Sequence, residues 1–196
     1  MPVPPAPDPA ARPTRLPHPG RGASRRRRAE ILRVDHAGEY AAVHIYRAQQ
    51  AVFAGRPGRE AIAADMEEMR GQEAVHLARF DALLNAERVR PTLMTPVWRL
   101  AALGLGAGTA LLGEKAAHAC TEAVESVIEE HYADQIAELQ DNDPALAAEL
   151  TVFRDEELAH HDHAVEHGSR EAPGYRLLSA VIKAGCRAAI KVSERV

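Results

Sequence analysis

Phe153-Arg154-Asp155-Glu156-Glu157-Leu158-Ala159-His160-His161-Asp162 is the stretch whose reading decides the fold. Helical spacing puts Glu157 on the same face as Leu150 and Phe153, so an acid stands on a face that otherwise reads as core. The pattern recurs at Glu73, among Met66, Met69, Leu77 and Phe80, and at Glu39, among Leu32, Val43 and Tyr46. A carboxylate buried alone costs several kcal/mol unless it is paired, protonated or bound to a cation. Three such acids in one chain need a common cause.

Two of them have a histidine three residues on, giving Glu73 with His76 and Glu157 with His160. On a helix, i and i+3 share a face, so both side chains reach one metal ion. In a chain with 10 histidines and 28 acidic residues this motif alone is weak, and an exposed Glu/His pair is usually solvated. The spacing along the chain says more. Glu39 stands 34 residues before Glu73, and Glu125 stands 32 before Glu157. Each half therefore reads as a helix with one Glu, a turn, and a helix with Glu-x-x-His. Four helices deliver four carboxylates and two imidazoles to mid-bundle, the ligand set of di-iron carboxylate proteins. Four glutamates balance the charge of two ferrous ions, whereas without metal they repel and some take up protons. Manganese suits the same donors; zinc, which prefers fewer ligands with more nitrogen or sulfur, suits them less.

Outward from these motifs the chain reads as helix almost throughout. Helix 1 is expected from an N-cap at Ser24 to Ala54, ending at Gly55-Arg56-Pro57-Gly58. Helix 2 follows to about Asn85, and a connection with two prolines spans Ala86 to Pro96. Helix 3 is expected to run on toward Gln140, bending among the glycines from Gly104 to Gly113. Asp143 caps helix 4, with Pro144 in its first position, and that helix ends near Gly168. A last helix follows Pro173-Gly174. The expected architecture is all-α: a ferritin-like four-helix bundle with one long crossover plus a C-terminal amphipathic helix. Residues 24–196 form that domain, and residues 1–23 read as a disordered Pro/Arg-rich arm.

Composition narrows the function classes. Aromatics make up 4% of the chain, and Ala and Leu supply most of its apolar mass, which favours helices. A net charge of −4 gives no reason to expect a nucleic-acid partner; the run Arg25-Arg26-Arg27-Arg28 reads as a solvated helix start or a contact for anionic lipid. Cys120 and Cys186 lie far apart without CxxC spacing, against a disulfide framework or zinc knuckle. No stretch reaches the roughly 18 uncharged apolar residues of a spanning helix.

Several long stretches carry a family resemblance. Val34-Asp35-His36-Ala37-Gly38-Glu39-Tyr40, Leu105-Gly106-Ala107-Gly108-Thr109-Ala110-Leu111-Leu112-Gly113, Ala184-Gly185-Cys186-Arg187 and the stretch quoted first closely resemble the demethoxyubiquinone hydroxylases of ubiquinone biosynthesis, over about Ala29 to the C-terminus. The resemblance implies a ferritin-like fold and two iron ions per chain. By position, the family's ligands fall on Glu39, Glu73, His76, Glu125, Glu157 and His160, the set already read from spacing. It also implies a reaction: one oxygen atom from O2 enters the ring of a polyprenylated methoxy-methyl-benzoquinol, with NADH as reductant. No nucleotide-binding loop accompanies that expectation. His131 and Tyr132 resemble a His-Tyr pair assisting electron or proton transfer, and are the catalytic candidates; alternatively Tyr132, seven residues after Glu125, packs in the core. Other proteins of quinone biosynthesis are partners by resemblance only.

Membrane contact is expected from two segments. Pro96 to Gly113 is apolar, with Trp98 and Arg99 at one end as anchors. The last helix sets Arg176, Lys183, Arg187 and Lys191 opposite Leu178, Val181, Ile182, Gly185 and Ala189, as in a helix lying among lipid headgroups. A basic-faced helix packed on the bundle, or a homo-oligomer contact, has the same pattern. The resulting expectation is a peripheral protein on the cytoplasmic side of a bacterial inner membrane. Roles for His36, His44 and His118 are not assigned; His161 reads as supporting or surface and His163 as surface. Asp35 and Asp155 are candidates to orient a ligating imidazole. An iron store or peroxidase on the same bundle, or a metal-free helical scaffold, are the competing classes.

Overall fold

A computed structural model describes Arg25–Val196; the expected arm and the Ser24 cap lie outside those residues. Among the described residues the chain forms six α-helices and one short 3-10 turn, with no strand. They are α1 (Arg25–Phe53), α2 (Glu60–Glu87), α3 (Thr95–Leu112), α4 (Glu114–Leu139), α5 (Pro144–Glu166) and α6 (Tyr175–Ser193), with Ser169–Glu171 as the 3-10 turn. The all-α expectation holds, and the bundle is two hairpins: α1 packs on α2, and α4 on α5.

The expected single third helix is two. Gly113 takes φ 118°, a backbone conformation that side chains other than glycine's rarely adopt, and the chain turns there from α3 into α4. The division has a packing reason. α3 lies against α1 outside the four-helix core, whereas α4 enters the core to pair with α5. One straight rod cannot do both. Gly106 brings α3 in closely, since a Cβ built there would lie 2.3 Å from the Ile45 carbonyl oxygen. The start of α5 is as expected: the Asp143 side chain accepts from the Leu146 N–H at 3.2 Å, and Pro144 follows it.

Inside the bundle two apolar layers bracket a polar one. Toward one end Leu32, Phe80, Leu139 and Leu150 pack together; toward the other, Phe53, Ile62, Met66 and Ala117 do. The glutamates and histidines singled out in the sequence lie between them. α6 closes over the side of α1 and α4 through Ile182, with Leu178 and Cys186 partly buried beside it. The Trp98 indole N–H on α3 donates to the Ser193 hydroxyl at the end of α6, at 3.0 Å.

Candidate metal centre

All six sequence-derived ligands meet in the polar layer, and each is no more than 5% exposed. They form two overlapping groups, Glu39-Glu73-His76-Glu157 and Glu73-Glu125-Glu157-His160, with ligand atoms in each within 4.8 Å of one another. Glu73 and Glu157 belong to both groups. Two ions held there would share Glu73 and Glu157, with Glu39/His76 and Glu125/His160 at the outer ends.

The histidines aim their Nδ1 atoms inward. His76 Nδ1 lies 3.2 Å from Glu157 Oε1 and 3.4 Å from Glu39 Oε2, and His160 Nδ1 lies 3.1 Å from Glu73 Oε1. Their other nitrogens are held from across the bundle: His76 Nε2 meets Glu156 of α5 at 2.5 Å, and His160 Nε2 meets Gln72 of α2 at 2.5 Å. Such contacts fix ring orientation and tautomer in metal sites. Two tyrosines complete the arrangement. Tyr46 of α1 donates to Glu125 of α4 at 2.5 Å, and Tyr132 of α4 donates to Glu39 of α1. Both Tyr–Glu and both His-orienting contacts thus exchange between the hairpins in a two-fold pattern.

The electrostatics show what the cluster lacks. Burial, then the carboxylates of Glu157, Glu39 and Glu125, push Glu73 well above the ordinary carboxylate range. Burial and Glu157 do the same to Glu125. Burial would also raise Glu157, but the imidazoles of His160 and His76 outweigh it and hold it low. His76 is raised against the effect of burial by Glu157 and Glu39. Protons thus occupy the place of missing positive charge. The buried atoms without a hydrogen-bond partner include Glu39 Oε2, Glu73 Oε1, both oxygens of Glu157, and Nδ1 of His76 and His160. Six inward-facing donors left without partners in one layer fit divalent cations, and these clusters could hold a metal ion.

Tyr46, Gln72 and Glu156 were not among the sequence candidates. A signal for the tyrosines was present: each helix that brings one glutamate to the polar layer carries a tyrosine seven residues after it, Tyr46 after Glu39 and Tyr132 after Glu125. Gln72 and Glu156 each immediately precede a motif glutamate. Of the two acids expected to orient an imidazole, Asp155 is exposed and pairs with Arg154. Asp35 is buried, accepts from the Gln135 side-chain amide at 2.7 Å and lies 3.6 Å from His131 Nε2. His36 meets Asp81 at 3.0 Å, and His44 Nδ1 meets the Tyr40 carbonyl at 2.8 Å. His161 sits 4.0 Å from Glu122, away from the six ligands. His163, expected at the surface, is half-buried beside Asp65.

A cavity of about 370 Å³ joins this layer to the side of the bundle. Ala102 and Leu105 of α3, Val124 and Ile128 of α4, and Ile182, Gly185 and Ala189 of α6 line it. Its polar lining includes Asp35, Glu39, His131 and Tyr132, so both catalytic candidates face it.

Residues 26–193 match the family model described as ubiquinone biosynthesis protein COQ7. The chain belongs to that family. Among COQ7-type relatives, it is 52% identical over 166 residues to the 3-demethoxyubiquinol 3-hydroxylase of Rhodospirillum rubrum, covering 85% of this chain and 77% of the relative. Against the mouse NADPH-dependent 3-demethoxyubiquinone 3-hydroxylase, a mitochondrial protein, it is 50% identical over 169 residues, 84% of this chain and 76% of the other. The yeast 5-demethoxyubiquinone hydroxylase, also mitochondrial, is 38% identical over 182 residues, 85% and 77% respectively. The COQ7 match takes in every residue of the buried layer and every helix lining the cavity.

Proposed function

We infer that this chain hydroxylates the ring of a demethoxyubiquinol with O2 in ubiquinone biosynthesis, the activity carried in its relatives' names. The observation that best supports the inference is the apolar cavity whose polar end is Glu39 and Tyr132. A quinol ring needs apolar walls and a few aimed polar groups, and it must reach the reacting centre without bulk water following.

Glu39, Glu73, His76, Glu125, Glu157 and His160 would hold two iron ions, with Glu73 and Glu157 common to both groups of donors. When bound, a ferrous pair supplies the electrons and open positions that activate O2. One oxygen atom enters a ring C–H bond as hydroxyl, and the other leaves as water, taking two electrons and one proton from a nicotinamide donor and a second proton from solvent. NADH is the donor expected from the sequence; several relatives are named for NADPH, and the choice between the two belongs to the assay. Burial, and the charges of Glu39 and Asp35, raise the Tyr132 hydroxyl, so it stays protonated and donates to Glu39. It holds a proton at the inner end of the cavity, one residue from His131, which Asp35 and Gln135 position. That arrangement suits the proton-transfer role read for the pair.

The polyprenyl tail places the reaction at a membrane surface. Among the described residues no helix is long and apolar enough to cross a membrane. The two helices that line the cavity nevertheless expose apolar side chains: Val181 of α6, itself in the lining, is 62% exposed, and Leu100 of α3, next to the lining residue Ala101, is 72% exposed. Exposed apolar side chains flanking a cavity mouth suit a peripheral protein that draws its substrate from lipid, here at a bacterial inner membrane. α6 itself does not float free. Ile182 is buried and Arg187 pairs with Glu130 of α4, so the helix offers lipid only its outer edge.

The test is iron content and turnover on one preparation. The chain reconstituted with ferrous ion should hold about two irons and hydroxylate a demethoxyquinol. Glu73→Ala and Glu157→Ala should each lose both properties while keeping the helical circular dichroism. Activity surviving in both variants overturns the inference.

A further inference from the structure

A second cluster of metal-ligating side chains lies about 10 Å further along the bundle, beyond the carboxylate layer. Asp65 on α2 stands eight residues before Glu73, His118 on α4 seven before Glu125, and His163 and His167 follow His160 on α5. All four therefore collect at the end of the bundle nearest the α1–α2 turn. Ligand atoms of Asp65, His163 and His167 lie within 4.8 Å of one another. The rings of His163 and His167 stack at 4.0 Å, and the His118 ring lies 5.3 Å from His167 and 5.9 Å from His163.

Three details point to a ligand. His118 is 3% exposed, yet its Nδ1 is buried without a hydrogen-bond partner. His163 Nε2 is likewise buried and unpartnered, 3.4 Å from Asp65 Oδ2. His167 Nδ1 sits 2.8 Å from the His163 carbonyl oxygen and donates to it, which puts the lone pair of that ring on Nε2. A buried imidazole nitrogen without a partner is costly, and two in one cluster are not what a structural stack requires. Burial, with His167 and His163 alongside, lowers His118 to about 4, so it is a neutral donor at physiological pH.

We propose that Asp65, His118, His163 and His167 form a second metal site, separate from the carboxylate centre, that binds one late divalent transition ion of the zinc class. Three imidazoles and one carboxylate make a four-donor set of the kind tetrahedral zinc takes, at about 2.0–2.2 Å. The donor set differs in kind from the carboxylate-rich centre, which is how one chain keeps two metals apart. The proposal does not depend on what the carboxylate centre does.

The experiment is a cobalt(II) titration of the iron-loaded protein, under anaerobic conditions, followed by visible absorption. Four-coordinate cobalt with imidazole ligands absorbs far more strongly than cobalt among carboxylates. One equivalent of cobalt should bind with the strong bands, and zinc should displace it. His163→Ala and His167→Ala should each weaken binding at least tenfold, with iron content, helicity and hydroxylation unchanged. His118→Gln should leave weaker binding with altered bands. No strong band in the parent protein overturns the proposal. So does a band that persists in the His163→Ala/His167→Ala double variant, which would mean that cobalt had entered the carboxylate centre.

Discussion

Gly106→Ala should destabilise the protein, although the same substitution two residues away on either side should stabilise it. A Cβ at position 106 would sit 2.3 Å from the Ile45 carbonyl oxygen and 3.0 Å from Ala48 Cβ. Carbon–oxygen contacts normally settle at about 3.3–3.6 Å, so α3 must retreat from α1 by about 1 Å. Forcing a methyl into such a contact costs about 1–3 kcal/mol, partly offset by the about 0.5–1 kcal/mol that alanine gains over glycine in a helix. The net loss is up to about 2.5 kcal/mol, centred on about 1, or a Tm lower by up to about 10 °C for a chain of this length. Gly104 and Gly108 are exposed on the same helix, with nothing within 4 Å of a Cβ at either position. Alanine there should raise Tm by about 1–4 °C. Because Ala102 and Leu105 line the cavity, the retreat at position 106 should also raise KM for the quinol more than it lowers kcat. Differential scanning fluorimetry on the three variants checks the signs. If Gly106→Ala matches Gly104→Ala, α3 does not approach α1 as described.

Glu156→Ala and Gln72→Ala each release one ligating imidazole from its orienting contact, and should lower iron affinity by about 10–100-fold in chelator competition, with folding intact. Equal affinity would show that these contacts do not hold the rings. Asp35→Asn should change how stability depends on pH. Burial raises Asp35 well above its ordinary value, so above about pH 4 the unfolded chain sheds a proton that the folded chain keeps. The parent therefore loses stability as pH rises from there, while the variant, which still offers an oxygen to Gln135, loses less, keeping only the slope that Glu73 and Glu125 contribute. Parallel urea midpoints across that range would refute the assignment. Both thiols should resist alkylation at pH 8 until the chain unfolds, since burial raises Cys120 to about 12 and Cys186 to about 11. Rapid labelling of either in the native protein would contradict the packing of α6.

Periodicity and spacing alone determined the helical class and the two-hairpin plan, and singled out the six residues that meet in the polar layer. The reason is local. A helix repeats every 3.6 residues, so an acid on an apolar face is visible in one segment without its partners. The same rule would have exposed Tyr46, since the interval from Glu39 repeats at Glu125 and Tyr132. Other features depend on which helices become neighbours. The split at Gly113 follows from α3 packing on α1 while α4 packs on α5, and a run of helix-forming residues carries no trace of that choice. Asp155 and Glu156 are adjacent acids on one helix, and their helical phase puts one on Arg154 and the other on His76 across the bundle. His163 and His167, four residues apart on α5, share a face that the sequence shows, but Asp65 and His118 come from two other helices, and only convergence at one end of the bundle adds them to the group. Sequence shows which face of a helix is buried; the tertiary structure decides against what.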